Sequence, residues 1–253
     1  MYAVIQPALG SLAKKLSRKA VLGAVFFLPA ARRRRIERWW RGREQHGKLK
    51  RADCVVVSFG KSGRTWLRVL LSRVYQVKHG LPEHYLIGFD NLHRINRAVP
   101  RIFFTHDTYL ADYTGHADKS RDYAGRKVIL LVRHPADVAV SQFHQWRHRM
   151  RPGKKALNRY PAHGEEVGIF DFVAREEAGL AKAIAFLNAW AAAIPRIPDI
   201  LIVRYEALRA RPEQTLAEIL AFIGTPGSEA EVREAVRFAS FENMKRKEAA
   251  RGF

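Results

Sequence analysis

Apolar and polar positions along this chain fall into two repeating patterns. Short apolar runs at 54–59, 101–105, 127–132 and 200–204 carry no charge in their interiors, the mark of strands buried on both faces. Around them, apolar residues recur three and four apart over 64–78, 135–150, 172–194, 212–223 and 229–238, which predicts helices with one buried stripe. Strands alternating with helices predict a single α/β domain, a central parallel sheet flanked by helices and joined by right-handed crossovers. Ligands of such sheets gather beyond the carboxyl ends of the strands. Phe59, His106, Arg133 and Tyr205 lie at or just past those ends, so they are expected on one edge.

The first residues fit neither pattern. They are set apart as a basic, partly apolar segment, 1–50, ahead of a domain over 51–253. Ala20 to Ala31 is a 12-residue run without charge, too short for the ~20 apolar residues of a membrane-spanning helix. Arg32-Arg33-Arg34-Arg35 follows it, unlike the small-residue cleavage site of a signal peptide. Basic flanks around an apolar strip, then Trp39-Trp40, describe one of two things: an interfacial element on an anionic membrane surface, or a helix packed on the domain with a solvated basic face. The expected location is the cytoplasm, and the first reading adds a peripheral position on the inner face of the membrane.

Charge sharpens this division. The net charge is +21, and residues 1–51 hold 14 Lys and Arg against two Glu. More than half of the excess therefore sits outside the domain. What remains suits an enzyme of a polyanionic ligand, and no nucleic-acid module is recognisable, so nucleic acid is not an expected partner. The lone Cys54 excludes an internal disulfide, and ten histidines without paired spacing imply no metal.

The candidate chemistry begins where the first apolar run ends, at Ser58-Phe59-Gly60-Lys61-Ser62-Gly63-Arg64-Thr65-Trp66. A strand, a small-residue turn with a lysine, and a helix start aim backbone N–H groups and a positive charge at one point, an anion site. A Walker A loop needs a further glycine where Val55 stands, and the strand at 128–132 leads to Arg133 where a magnesium-binding aspartate belongs. A nucleoside-triphosphate hydrolase is thereby disfavoured.

Gly60-Lys61-Ser62-Gly63-Arg64-Thr65-Trp66 resembles the 5′-phosphosulfate loop of sulfotransferases that use 3′-phosphoadenosine-5′-phosphosulfate (PAPS), usually worded Lys-Ser-Gly-Thr-Thr-Trp, with Arg64 in place of the first threonine. Arg133-His134-Pro135-Ala136-Asp137-Val138-Ala139-Val140-Ser141 resembles the family's 3′-phosphate motif, an arginine and a serine eight positions apart across a strand-to-helix transition. Three further blocks match in the family's order: Thr105-His106, the catalytic-histidine word; Arg204-Tyr205-Glu206-Ala207-Leu208, whose tyrosine lies near adenine; and Ser240-Phe241-Glu242-Asn243-Met244, whose phenylalanine packs on the base. Two features depart from the pattern. Phe104 stands where cytosolic members place a lysine, and the late Arg-Lys-Gly element has only Arg251-Gly252 as a remnant, with Lys245, Arg246, Lys247 and Arg251 as substitutes.

The resemblance implies a P-loop-like sulfotransferase fold and transfer of a sulfonate from PAPS to an acceptor hydroxyl or amine. It makes His106 the general base, with Asp107 as the alternative, and Lys61 a stabiliser of the departing charge. Lys61, Ser62, Gly63, Arg64, Thr65 and Trp66 hold the 5′ side of the cofactor; Arg133 and Ser141 hold the 3′-phosphate; Trp66, Tyr205 and Phe241 hold adenine. A basic, turn-rich stretch at 147–163 reads either as a lid over the acceptor or as a solvated loop. With the N-terminal segment it points to an acceptor at a membrane or one that is anionic: a glycolipid or polysaccharide first, a small phenol or alcohol second. The competing class is a non-enzymatic basic membrane adaptor on a degenerate sulfotransferase fold.

Overall fold

The computed structural model describes Leu16, Ala20, Val21 and residues 23–249. Its strands are β1 (Cys54–Ser58), β2 (Ile102–Thr105), β3 (Val128–Val132) and β4 (Ile200–Arg204), within a residue or two of the predicted bounds. They pair in parallel in the order β2-β1-β3-β4. β1 is buried at every position, as a central parallel strand is when helices cover both faces of the sheet.

Successive side chains point to opposite faces, so each strand feeds two layers. On one face Val56, Ile129 and Leu131 pack with Leu67, Leu70, Leu71 and Val74, backed by the helices Pro212–Ile223 and Glu229–Phe238. On the other, Val55, Val57, Leu130 and Phe103 pack with Leu110, Tyr123 and Trp190. The result is the single α/β domain that the apolar pattern predicts. The helices that bear on the site are α1 (Ala30–Leu49), α2 (Arg64–His79), α3 (Leu110–Thr114), α4 (Pro135–His148) and α5 (Pro152–Leu157).

One helical expectation does not hold, and one loop expectation needs refinement. The stretch 172–194 is not one helix but two, Ile169–Ala174 and Leu180–Ala193, followed by a 3-10 turn. The chain doubles back at Gly179, where a Cβ would stand 2.0 Å from the carbonyl oxygen of Val173. Helical spacing carries no trace of such a close approach. The stretch 147–163 is more than the solvated loop of one reading, because it contains α5 and buries Lys155, Leu157 and Asn158. Trp146 Nε1 donates to the carbonyl of Pro161 at 2.9 Å, and Lys155 stacks over the Trp146 ring at 4.6 Å. The lysine thus serves packing through its stem and head together.

Of the N-terminal segment, residues 30–49 form α1, which packs on the domain. Arg38 reaches both carboxylate oxygens of Asp112 at 2.9 and 2.8 Å and the carbonyl of Thr108 at 3.0 Å. Trp39 meets the Tyr113 ring edge-on, and Gly42 lies so close that a Cβ there would stand 2.2 Å from the carbonyl oxygen of Tyr109. Ahead of α1, Phe26 and Phe27 are exposed. No helix among the described residues is long and apolar enough to cross a membrane. Most of residues 1–22, and the Arg251-Gly252 remnant, lie outside the described residues.

Candidate active site

The turn between β1 and α2 sits at the carboxyl edge of the sheet. Lys61 (φ +70°) and Gly63 (φ +92°) both adopt left-handed backbone, a conformation that costs a side-chain-bearing residue about 1–2 kcal/mol. Strain of this kind persists where surrounding structure enforces it, most often at functional loops. Glycine is required at 63 for a second reason: a Cβ would stand 2.5 Å from the Tyr205 ring. Ser62 is buried, and the first intrahelical bond of α2 runs from the Leu67 N–H to the carbonyl of Gly63 at 3.1 Å. The amides of Arg64, Thr65 and Trp66 therefore precede the helical ladder and face outward from its positive end. The first turn of α2 holds no acidic residue to oppose an anion.

The sheet order places different chemistry on the two sides of this loop. On the β2 side stands His106, whose Nδ1 lies 2.8 Å from the carbonyl of Ser58. A carbonyl only accepts, so Nδ1 carries the proton and Nε2 keeps its lone pair. Burial, then the charge of Arg64, pushes the histidine pKa down to about 3; Lys154 adds to this and the Ser58 carbonyl opposes it. His106 is thus a neutral imidazole in the tautomer that takes a proton at Nε2. Asp107 is turned away: its oxygens hold Lys119 (2.8 Å) and the Tyr123 hydroxyl (3.0 Å), and its side chain is buried. The structure does not bring the alternative base to the loop.

On the β3 side, Arg133 Nη1 donates to the carbonyl of Lys61 at 3.1 Å, and the guanidinium lies over the Tyr205 ring at 4.6 Å. Its Nε is buried without a hydrogen-bond partner among the described residues. Ser141 lies on α4 one turn after Asp137, which pairs with Arg133 at 3.7 Å, and one turn before Gln145, whose Oε1 is 3.5 Å from Lys61 Nζ. Residues one turn apart share a helix face, so Ser141 belongs to the face that borders the loop. Tyr205 meets Trp66 edge-on at 6.1 Å, and Trp66 Nε1 donates to the carbonyl of Ala239 at 2.9 Å. Thr65 is exposed, and Phe241, at 76% exposure, stays outside this aromatic cluster.

A family model described as the sulfotransferase domain matches residues 51–252. The chain belongs to the sulfotransferase family. Its curated relatives include a rabbit (Oryctolagus cuniculus) amine sulfotransferase, 28% identical over 208 residues, with 76% of this chain and 63% of that protein covered. Cytosolic sulfotransferase 15 of Arabidopsis thaliana is 25% identical, with 81% of this chain and 62% of that protein covered. The chain thus spans less than two thirds of the length of these relatives. A mouse sulfotransferase solved in complex with PAP superposes with a TM-score of 0.52 at 22% identity, covering 80% of this chain and 71% of that one. At that identity the likeness establishes the sulfotransferase fold.

Two polar residues of this sulfotransferase-family chain lie outside the motifs, Gln142 and Gln145. A Cβ on Gly60 would stand 2.9 Å from Gln142 Oε1, and Gln145 faces Lys61. Their signal is present in the sequence, since both lie within a turn of Ser141. Neutral amides carry no charge or motif to draw the eye.

Proposed function

We propose that this chain transfers a sulfonate group from PAPS to an acceptor hydroxyl or amine. One observation carries the reading: a single strained loop is flanked by a proton acceptor, His106 Nε2, and by a partly unpaired guanidinium, Arg133. The buried Arg133 Nε, without a partner among the described residues, fits a phosphate, which guanidinium grips in a fork. Lys61, Ser62, Gly63 and Thr65 would hold the 5′ side of PAPS, Arg133 and Ser141 the 3′-phosphate, and Trp66, Tyr205 and Phe241 the adenine. PAPS supplies an activated sulfur whose bond to the bridging oxygen breaks as a bond to the acceptor forms, the bonding pair leaving with adenosine 3′,5′-bisphosphate (PAP). His106 Nε2 takes the acceptor's proton, while Lys61 and the amides of residues 64–66 sit where negative charge grows.

For the acceptor we favour a glycolipid or polysaccharide hydroxyl at an anionic membrane surface, with the protein cytoplasmic and peripheral on the inner face. The support is the exposed pair Phe26 and Phe27 beside Arg32 to Arg35, at the start of the helix whose Arg38 grips the segment after His106. The test is calorimetric binding of PAP, then transfer from labelled PAPS to a panel of glycolipids, oligosaccharides and phenols. No PAP binding overturns the enzymatic reading in favour of a basic adaptor; labelling of phenols alone overturns the acceptor class.

A further inference from the structure

Arg64 stands out among the cations at the sheet edge. Among the described residues, no carboxylate pairs with its guanidinium and no carbonyl accepts from it, and burial lowers its pKa to about 10, leaving it charged at neutral pH. A half-buried guanidinium with no partner among the described residues is costly. Its position follows from the register of α2 on β2. Arg68, one turn later on α2, holds its guanidinium 5.3 Å from the centre of the Phe104 ring and donates to the carbonyl of Ile87 at 3.0 and 2.6 Å. Moving back one turn on α2, about 6 Å, and forward two residues on β2, about 6.6 Å, both lead toward the sheet edge. The same register that sets Arg68 over Phe104 therefore sets Arg64 beside His106. The depressed pKa of the histidine, with Arg64 as its largest charge cause, agrees with this placement.

We propose that Arg64 is a sulfonate-binding residue, its guanidinium gripping the oxygens of the transferring group between the phosphate loop and Nε2 of His106. This position lies on the base side of the loop and opposite Arg133, where the sulfonate of bound PAPS would pass toward the acceptor. This assignment rests on the sulfonate-transfer reading above.

PAPS and PAP differ in the sulfonate, so the pair isolates the contact without requiring the acceptor. Calorimetry of wild type, Arg64→Met and Arg64→Lys with each nucleotide is the experiment. Arg64→Met is expected to lose about tenfold in PAPS affinity, the scale of one charged hydrogen bond. Its PAP affinity should stay close to wild type, which also reports that the variant is folded. Arg64→Lys should recover part of the PAPS affinity through its charge alone. Equal losses for both nucleotides would reassign Arg64 to the 5′-phosphate, and unchanged affinities with slower transfer only to anionic acceptors would reassign it to the acceptor; either result overturns the proposal. Wild type that binds neither nucleotide would sink the sulfonate-transfer reading itself, a distinct failure.

Discussion

At the scale of single residues, the proposed transfer turns on the tautomer and charge of His106. His106→Ala is expected to leave PAP affinity unchanged and to lower turnover by ~10²–10⁴-fold, the range of a lost general base. A variant with wild-type turnover would show that another group takes the proton. Because the folded-state pKa lies at about 3, below the ordinary 6.5, the pH–rate profile should show no acid limb centred near 6.5. The sign for stability follows: the unfolded chain binds this proton more readily, so stability falls as pH drops through 6.5 toward 3, and His106→Leu should flatten that dependence. Equal pH dependence of wild type and variant, followed by denaturant midpoints, would refute it. Arg133→Ala should weaken PAP by ~1.5–3 kcal/mol, for one charged hydrogen bond. Adenosine 5′-phosphosulfate, which lacks the 3′-phosphate, should bind the variant and the wild type alike; equal losses for both ligands would remove Arg133 from the 3′-phosphate.

At the scale of elements, α1 and α3 hold the segment that follows His106. Arg38 spans Asp112 and the carbonyl of Thr108, both partners about a quarter exposed at the ion pair, so the contact is worth more than a fully solvated pair and less than a buried one. Arg38→Ala is expected to lower the melting temperature by ~2–4 °C, from ~1 kcal/mol in a domain of this size. Turnover should fall more than PAP affinity, since the segment it steadies borders the base and not the nucleotide loop. A change confined to PAP affinity would contradict that division. On the other side of the sheet edge, α4 lines up Asp137, Ser141 and Gln145 along the face beside Lys61 and Arg133.

At the scale of the whole molecule, the surplus of positive charge and the exposed Phe26 and Phe27 set how the protein meets a surface. Since α1 is packed on the domain, a truncation that tests the membrane idea must stop before it. Removal of residues 2–28 should release the protein from anionic vesicles while sparing PAP binding, and raising the salt should weaken adhesion of the full chain, because exposed charges are screened. Full-length protein that ignores anionic vesicles in co-sedimentation would remove the membrane surface from the reading.

Much of the fold was legible in the sequence because its signals are local. Four apolar runs mark four strands, and each chemically telling word (Gly60 to Trp66, Thr105-His106, Arg133 to Ser141) sits where a strand ends. Period and adjacency are properties of the chain itself. What only the tertiary structure decided is non-local. The order β2-β1-β3-β4 puts His106 on one side of the loop and Arg133 with Tyr205 on the other, and no sequence spacing encodes which strands become neighbours. Packing turned Asp107 inward to Lys119, folded the 147–163 stretch onto Trp146, and broke the 172–194 helix at Gly179. It also left Arg64 near His106 without a partner among the described residues, because charge compensation depends on which side chains the fold brings within reach, not on how far apart they lie along the chain.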